Sequence, residues 1–242
     1  GCSATAIDAL SIGVLQVCRT AATLLVHIAS TEGFGPFLRR VLGAGELKTQ
    51  VFHLSHLVLS LCEGHGTCAD KDKLPEAEGL LHETLLLLGA FALATPKNAE
   101  TLRWRWGAHP TMLHRLCELP FAYFVDPELR DVLLPTLISA CHNDPFNFRI
   151  LSSRLAPEHL TRYLRAQPEG AARELAPGRE CAPAAVLSSD PSELPIVTMD
   201  YALAARFPPV LWLEATRYLS VRPESPAPEG IDLLPDPPAR PP

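Results

Sequence analysis

Apolar residues recur at alternating spacings of three and four along most of this chain, and that rhythm restricts it to helices. Ile7, Leu10, Val14, Val17, Ala21, Leu24 and Ile28 predict a first helix over about residues 5–30, its stripe turned to a core. The stripe is also a heptad. Its flanks (Ser11, Gly13, Cys18, Thr20, Leu25, His27) carry no charge pairs, and Leu15, Leu25 and Val26 widen the apolar face, which favours a packed globular helix over a two-stranded rod. Gly33, Gly35 and Pro36 break the chain before a short helix at 37–42. A helix at 46–62 then carries Leu47, Val51, Leu54, Val58 and Leu61 inward. Residues 76–94 are apolar nearly all round, the mark of a helix buried on most sides. Asp126-Pro127-Glu128 is a start signal, because Asp caps free amides, Pro suits the first helical position and Glu favours the positive helix end. Leu129, Val132, Leu133, Leu137, Ile138 and Cys141 follow on one face. Pro135 removes a backbone hydrogen bond within that helix at about 3 kcal/mol and predicts a kink.

Residues 83–119 and 131–167 align as a weak internal repeat at a spacing of 47 to 49. Each has a long apolar helix and an Asn-containing break (Pro96-Lys97-Asn98; Asn143-Asp144-Pro145 with Asn147). A short helix and a Pro-started helix follow (Pro110 with Leu113 and Leu116; Pro157 with Leu160 and Leu164). Three helices in such a unit is the armadillo or HEAT layout. The predicted fold is therefore all-α, an armadillo/HEAT-like helical-repeat solenoid over 1–166. An Ala/Pro-rich mobile loop is expected at 167–198, terminal helices packing on the domain at 199–220, and a disordered tail at 221–242. Eight prolines among the last 21 residues carry the tail assignment.

Composition narrows the function classes. The chain has 242 residues, 47% of them hydrophobic, enough for a sizeable core. Its net charge of −6 disfavours direct nucleic-acid binding. The seven cysteines are scattered singly, with no small disulfide framework, which fits a reducing compartment. No run of about 18 apolar residues predicts a membrane span, and no leader pattern is present. The first residue is not Met, from which a longer parent protein is expected.

Candidate chemistries are weak. Cys62, His65 and Cys68, with His53 and His56 nearby, have ligand types suited to zinc, but only one irregular triplet where structural sites pair close spacings. Arg103-Trp104-Arg105-Trp106 would stack nucleotides if extended. The neighbouring pattern predicts a helix instead, with the tryptophans packed between layers and Arg103, Arg105 and Arg115 as the candidate RNA contacts. His82-Glu83 lacks the second histidine of a metalloprotease helix, and no phosphate loop, serine elbow or kinase signature occurs. No catalytic residue, cofactor or metal is implied, and an enzyme is not expected. The aromatic segment 117–127 is different. Phe121, Tyr123 and Phe124 form either a partner-facing anchor or a plug between layers.

The segment from Leu116 through Pro127, continuing from Val132 to Asn143, resembles the C-terminal domain of the family of S phase cyclin A-associated proteins in the endoplasmic reticulum. Asp200-Tyr201 through Arg206-Phe207-Pro208, with Trp212 and Ala215, is similar to that family's end. The strong similarity covers about 80–154 and 200–219. It implies a non-enzymatic adaptor belonging to a large cytosolic protein, peripherally associated with the endoplasmic reticulum, with the nucleus as a second location. It also implies links to cyclin A and its kinase through regions outside this chain. A role in tubulin autoregulation is implied too, where a tetratricopeptide protein reads nascent tubulin on ribosomes and the adaptor brings the mRNA deadenylase complex. The family's zinc finger and cyclin-binding segment lie upstream and have no counterpart here. The 167–195 loop and the tail after Arg222 depart from the family pattern. Partner-binding residues expected on this basis are Phe121, Tyr123, Phe124, Arg206, Phe207 and Trp212.

Overall fold

The three-four rhythm is realised as helices. The structure, a computed structural model, describes residues 10–31, 33–62, 71–166 and 209–220. They form α1 (Ile12–Ser30), α2 (Phe34–Leu42), α3 (Gly45–Cys62), α4 (Leu74–Ala92), α5 (Pro96–Ala99), α6 (Met112–Cys117), α7 (Ala122–Val125), α8 (Pro127–Cys141), α9 (Pro145–Ser152), α10 (Pro157–Ala166) and α11 (Pro209–Ser220). No strand occurs among the described residues. The expected loop at 167–198, the helix over 199–207 and the tail at 221–242 lie outside them.

The helix α4 is the central post. Leu80, Leu81, Leu85, Leu88 and Phe91 are buried, with α1, α3 and α8 packed around it. Two glycines permit the close approaches. A Cβ on Gly79 would lie 2.5 Å from Arg19 Nε, and one on Gly89 would lie 2.7 Å from Thr136 Oγ1. Arg19 crosses α4 there to reach Glu76 at 3.1 Å. Thr136 donates to the Leu85 carbonyl at 2.8 Å, binding α8 to α4. Asp126 caps α8 as its sequence requires, accepting from the amides of Glu128 and Leu129 at 3.0 and 3.3 Å. Leu133, Leu137 and Cys141 are fully buried.

Two faces differ from expectation. α1 begins at Ile12, capped by Ser11, and its buried residues are Leu15, Ala22 and Val26. Val14, Val17 and Leu24 of the expected stripe are exposed. The helix is apolar on two sides, and Arg19 with its partner Glu76 fixes which one faces α4. In α3, Phe52, Ser55, His56 and Leu59 face inward with Val58 and Leu61, whereas Leu47 and Leu54 point out.

The two Asn-containing breaks share one local geometry. Ala94 and Asn143, 49 residues apart, both take positive φ (50° and 58°). Asn98 donates from Nδ2 to the carbonyls of Phe91 and Arg39, both at 3.0 Å. Asn147, again 49 residues on, donates to Ala140 at 2.7 Å and Ala99 at 2.9 Å. Phe91 and Ala140 stand in the last turns of α4 and α8, whose carbonyls have no intrahelical partner. Each asparagine therefore closes a long helix and ties its end to an earlier element.

Candidate protein-docking surface

The aromatic segment divides its labour. Pro120 leads into the short α7, where Tyr123 turns inward, 5% exposed. Its hydroxyl lies 2.9 Å from His82 Nε2 on α4. Burial, then the nearby Glu78 and Cys62, push its phenol above the ordinary range. Phe124 is half-buried against the core. Phe121 is 76% exposed and Val125 51%. Tyr123 thus plugs the gap between α4 and α7, while Phe121 and Val125 form an apolar ledge held by that plug. Trp212, on α11, is 9% exposed and packs in the main core, so the rings of Tyr123 and Trp212 are both spent on packing. Arg206 and Phe207 lie outside the described residues.

Past Arg103, the last residue of a 3-10 turn, the Arg-Trp-Arg-Trp segment is not helical. The 3-10 turn Glu100–Arg103 ends at Trp104, whose backbone is extended (φ −66°, ψ 151°). In extended backbone alternate residues share a face. Both tryptophans accordingly meet α3: Trp104 lies 5.6 Å from Phe52, and Trp106 lies 5.4 Å from His53 and 5.8 Å from His56 between ring centres. Lys48 sits 4.8 Å over the Trp104 ring.

Two of the three candidate RNA-contacting arginines are engaged inside. Arg103 grips both carboxylate oxygens of Asp144 at 2.7 and 2.9 Å. Arg115, 4% exposed, donates to His56 Nδ1 and the His56 carbonyl at 2.8 and 3.0 Å, and to Ser60 Oγ at 2.9 Å. A guanidinium has no acceptor, so His56 Nδ1 must be unprotonated and its proton sits on Nε2. Burial first, and then the Arg115, His109 and His53 charges, lower its pKa to about 4. His56 is consequently a neutral internal ligand of Arg115. Arg105 alone of the three is exposed.

No group of three or more metal-ligating side chains is gathered among the described residues. Of the zinc candidates, Cys62 donates to the Ala77 carbonyl at 3.6 Å and His65 and Cys68 lie outside the described residues. Burial pushes the Cys117 thiol up to about 12 and Cys141 well above its ordinary value, so neither supplies a thiolate at neutral pH. α1 is long and apolar enough to cross a membrane by length and composition, the one such helix among the described residues. That property follows from its two apolar sides, one of which packs on α4.

No family model matches the chain. It is 31% identical over 208 residues to a human protein, a match taking in 81% of this chain and 13% of that protein. The chain thus spans a small part of its relative's length. The resemblance drawn from 116–143 and the closing helix stands on most of the sequence: this chain is similar to one segment of the human S phase cyclin A-associated protein in the endoplasmic reticulum.

Proposed function

We propose that this chain is an armadillo-like helical scaffold that docks protein partners and performs no chemistry, serving a cell-cycle-related adaptor at the endoplasmic reticulum. One observation carries the reading: Phe121, 76% exposed, stands on a short helix fixed from beneath by Tyr123 and His82. A large aromatic open to water on a backbone pinned by its neighbour is the type of group that anchors interfaces. The paired asparagine breaks support the repeat-scaffold architecture, with successive units leaving outer faces available for docking. The family resemblance supplies the partners to test: the tetratricopeptide protein on ribosomes and the mRNA deadenylase complex, with cyclin A and its kinase engaging other regions of the longer relative.

The test is capture of the purified tetratricopeptide partner by the 242-residue chain. Phe121→Ala should weaken capture tenfold or more, about 1.4 kcal/mol, with helicity and melting temperature unchanged. Tyr123→Phe removes only the bond to His82 and should leave capture within about twofold while lowering stability by roughly 1 kcal/mol. Capture indifferent to Phe121→Ala overturns the assignment of the ledge.

A further inference from the structure

Phe121 is a knob, not a groove. It stands 76% exposed at the start of α7, with Ala122 and Val125 exposed beside it, so whatever receives it must supply the concavity. A short extended peptide has none to offer, whereas a folded surface does. The ledge is also bordered by carboxylates. Between Leu116 and Leu129 the chain holds Glu118, Asp126 and Glu128 and no Lys, Arg or His. Asp126 and Glu128 are exposed where α7 runs into α8, and these two helices pack together. From α4, Glu78 brings a fourth carboxylate, its side chain 54% exposed and 4.0 Å from His82, the residue on which Tyr123 rests.

Little opposes these charges. Arg154 meets Glu118 at 3.3 Å with both side chains about half exposed, where such a pair is weak. Arg130 is turned back over the Tyr163 ring at 5.6 Å. Asp126 and Glu128 have no ion pair among the described residues.

We propose that the ledge docks into an apolar socket rimmed by Lys and Arg on a folded partner protein. This rests on the reading of the ledge as a docking site and adds the chemistry of what docks there. The carboxylates select the occupant: nucleic acid, an acidic segment or an anionic membrane would set like charge against all four, and a basic rim would be drawn to them. Ring and rim act at different steps. The carboxylates steer the encounter and so set the association rate and its salt dependence, while Phe121, once seated, holds the complex and sets the dissociation rate.

Capture of the purified tetratricopeptide protein by the whole chain, followed as separate rates from about 50 to 500 mM NaCl, distinguishes these roles. Association should slow about tenfold or more across that range, with dissociation changed less than about twofold. Glu78→Lys combined with Glu128→Lys should slow association about tenfold at the lowest salt and flatten its salt dependence, and the milder pair Glu78→Gln with Glu128→Gln about threefold. Both positions are exposed, so helicity should be unchanged. Phe121→Ala should instead speed dissociation about tenfold. No capture, or capture indifferent to Phe121→Ala, overturns the ledge reading and this inference with it. Capture that needs Phe121 but associates at a rate indifferent to salt and to both glutamate pairs overturns the basic rim alone. Association quickened by the two lysines assigns an anionic occupant and equally overturns the rim. Phe121-dependent binding to neutral phosphatidylcholine vesicles reassigns the ledge to lipid and overturns both.

Discussion

The breaks at 94–98 and 143–147 follow one backbone plan with different anchors. Both pass through a positive-φ residue and a proline in the first helical turn, and both end on an asparagine that donates to the carbonyl seven residues earlier. The second break adds charge. Asp144 caps α9 by accepting from the amides of Phe146 and Asn147 at 3.0 and 2.9 Å while holding Arg103. At the first, Thr95 makes no cap, and its hydroxyl donates instead to the Leu93 carbonyl. The two share the group that satisfies buried helix-end carbonyls, because an orphaned carbonyl in the core costs about 1–3 kcal/mol wherever it occurs. The cap is free to vary. Arg103 follows the first break and Asp144 belongs to the second, so their ion pair also couples the two units.

Of the differing anchors, Asp144→Ala should have the larger effect, about 3 kcal/mol in urea unfolding, from two lost cap bonds and a half-buried guanidinium that loses its bidentate carboxylate. Acid should act next, through His56 on α3, the ligand of Arg115. The folded-state pKa of His56, about 4, lies below its ordinary 6.5. Between those values the unfolded chain holds a proton that the folded chain does not. Stability is thus complete above 6.5 and lost as pH falls towards 4, by on the order of 2–3 kcal/mol. His56→Gln should flatten that slope in stability measured against pH. Thr95→Ala should be the smallest change, under about 0.5 kcal/mol, because no helix-end amide depends on it. A Thr95→Ala cost matching that of Asp144→Ala would erase the distinction between the anchors.

The breaks were legible in the sequence because proline and asparagine act on their own backbone: Pro96, Asn98, Pro145 and Asn147 declare themselves without knowledge of neighbours. Their long-range roles were not, since Arg39 is 59 positions from Asn98. The heptad in α1 shows the same boundary. Periodicity tells which residues share a face, and two faces were apolar. The choice fell to Arg19, crossing Gly79 to a carboxylate 57 positions away. Trp104 and Trp106 were assigned to a helix from their surroundings. The 3-10 turn ends at Arg103 and Gly107 takes φ 58°, and the non-helical stretch between, extended at Trp104, brings both rings to α3. Within the aromatic segment, composition marked Phe121, Tyr123 and Phe124 alike. Only packing separates the ledge from the plug, and the half-buried His82 partner that decides it is 41 positions distant.

The account rests on Asn98 and Asn147 doing the same work at the two breaks, and isosteric removal of their donors tests it most directly. Asn98→Asp and Asn147→Asp each replace a donating amide with a carboxylate facing two carbonyls. Equilibrium unfolding at neutral pH should show both variants destabilised by about 2–4 kcal/mol and alike to within about 1 kcal/mol. A loss below about 0.5 kcal/mol at either position would contradict the equivalence of the two breaks.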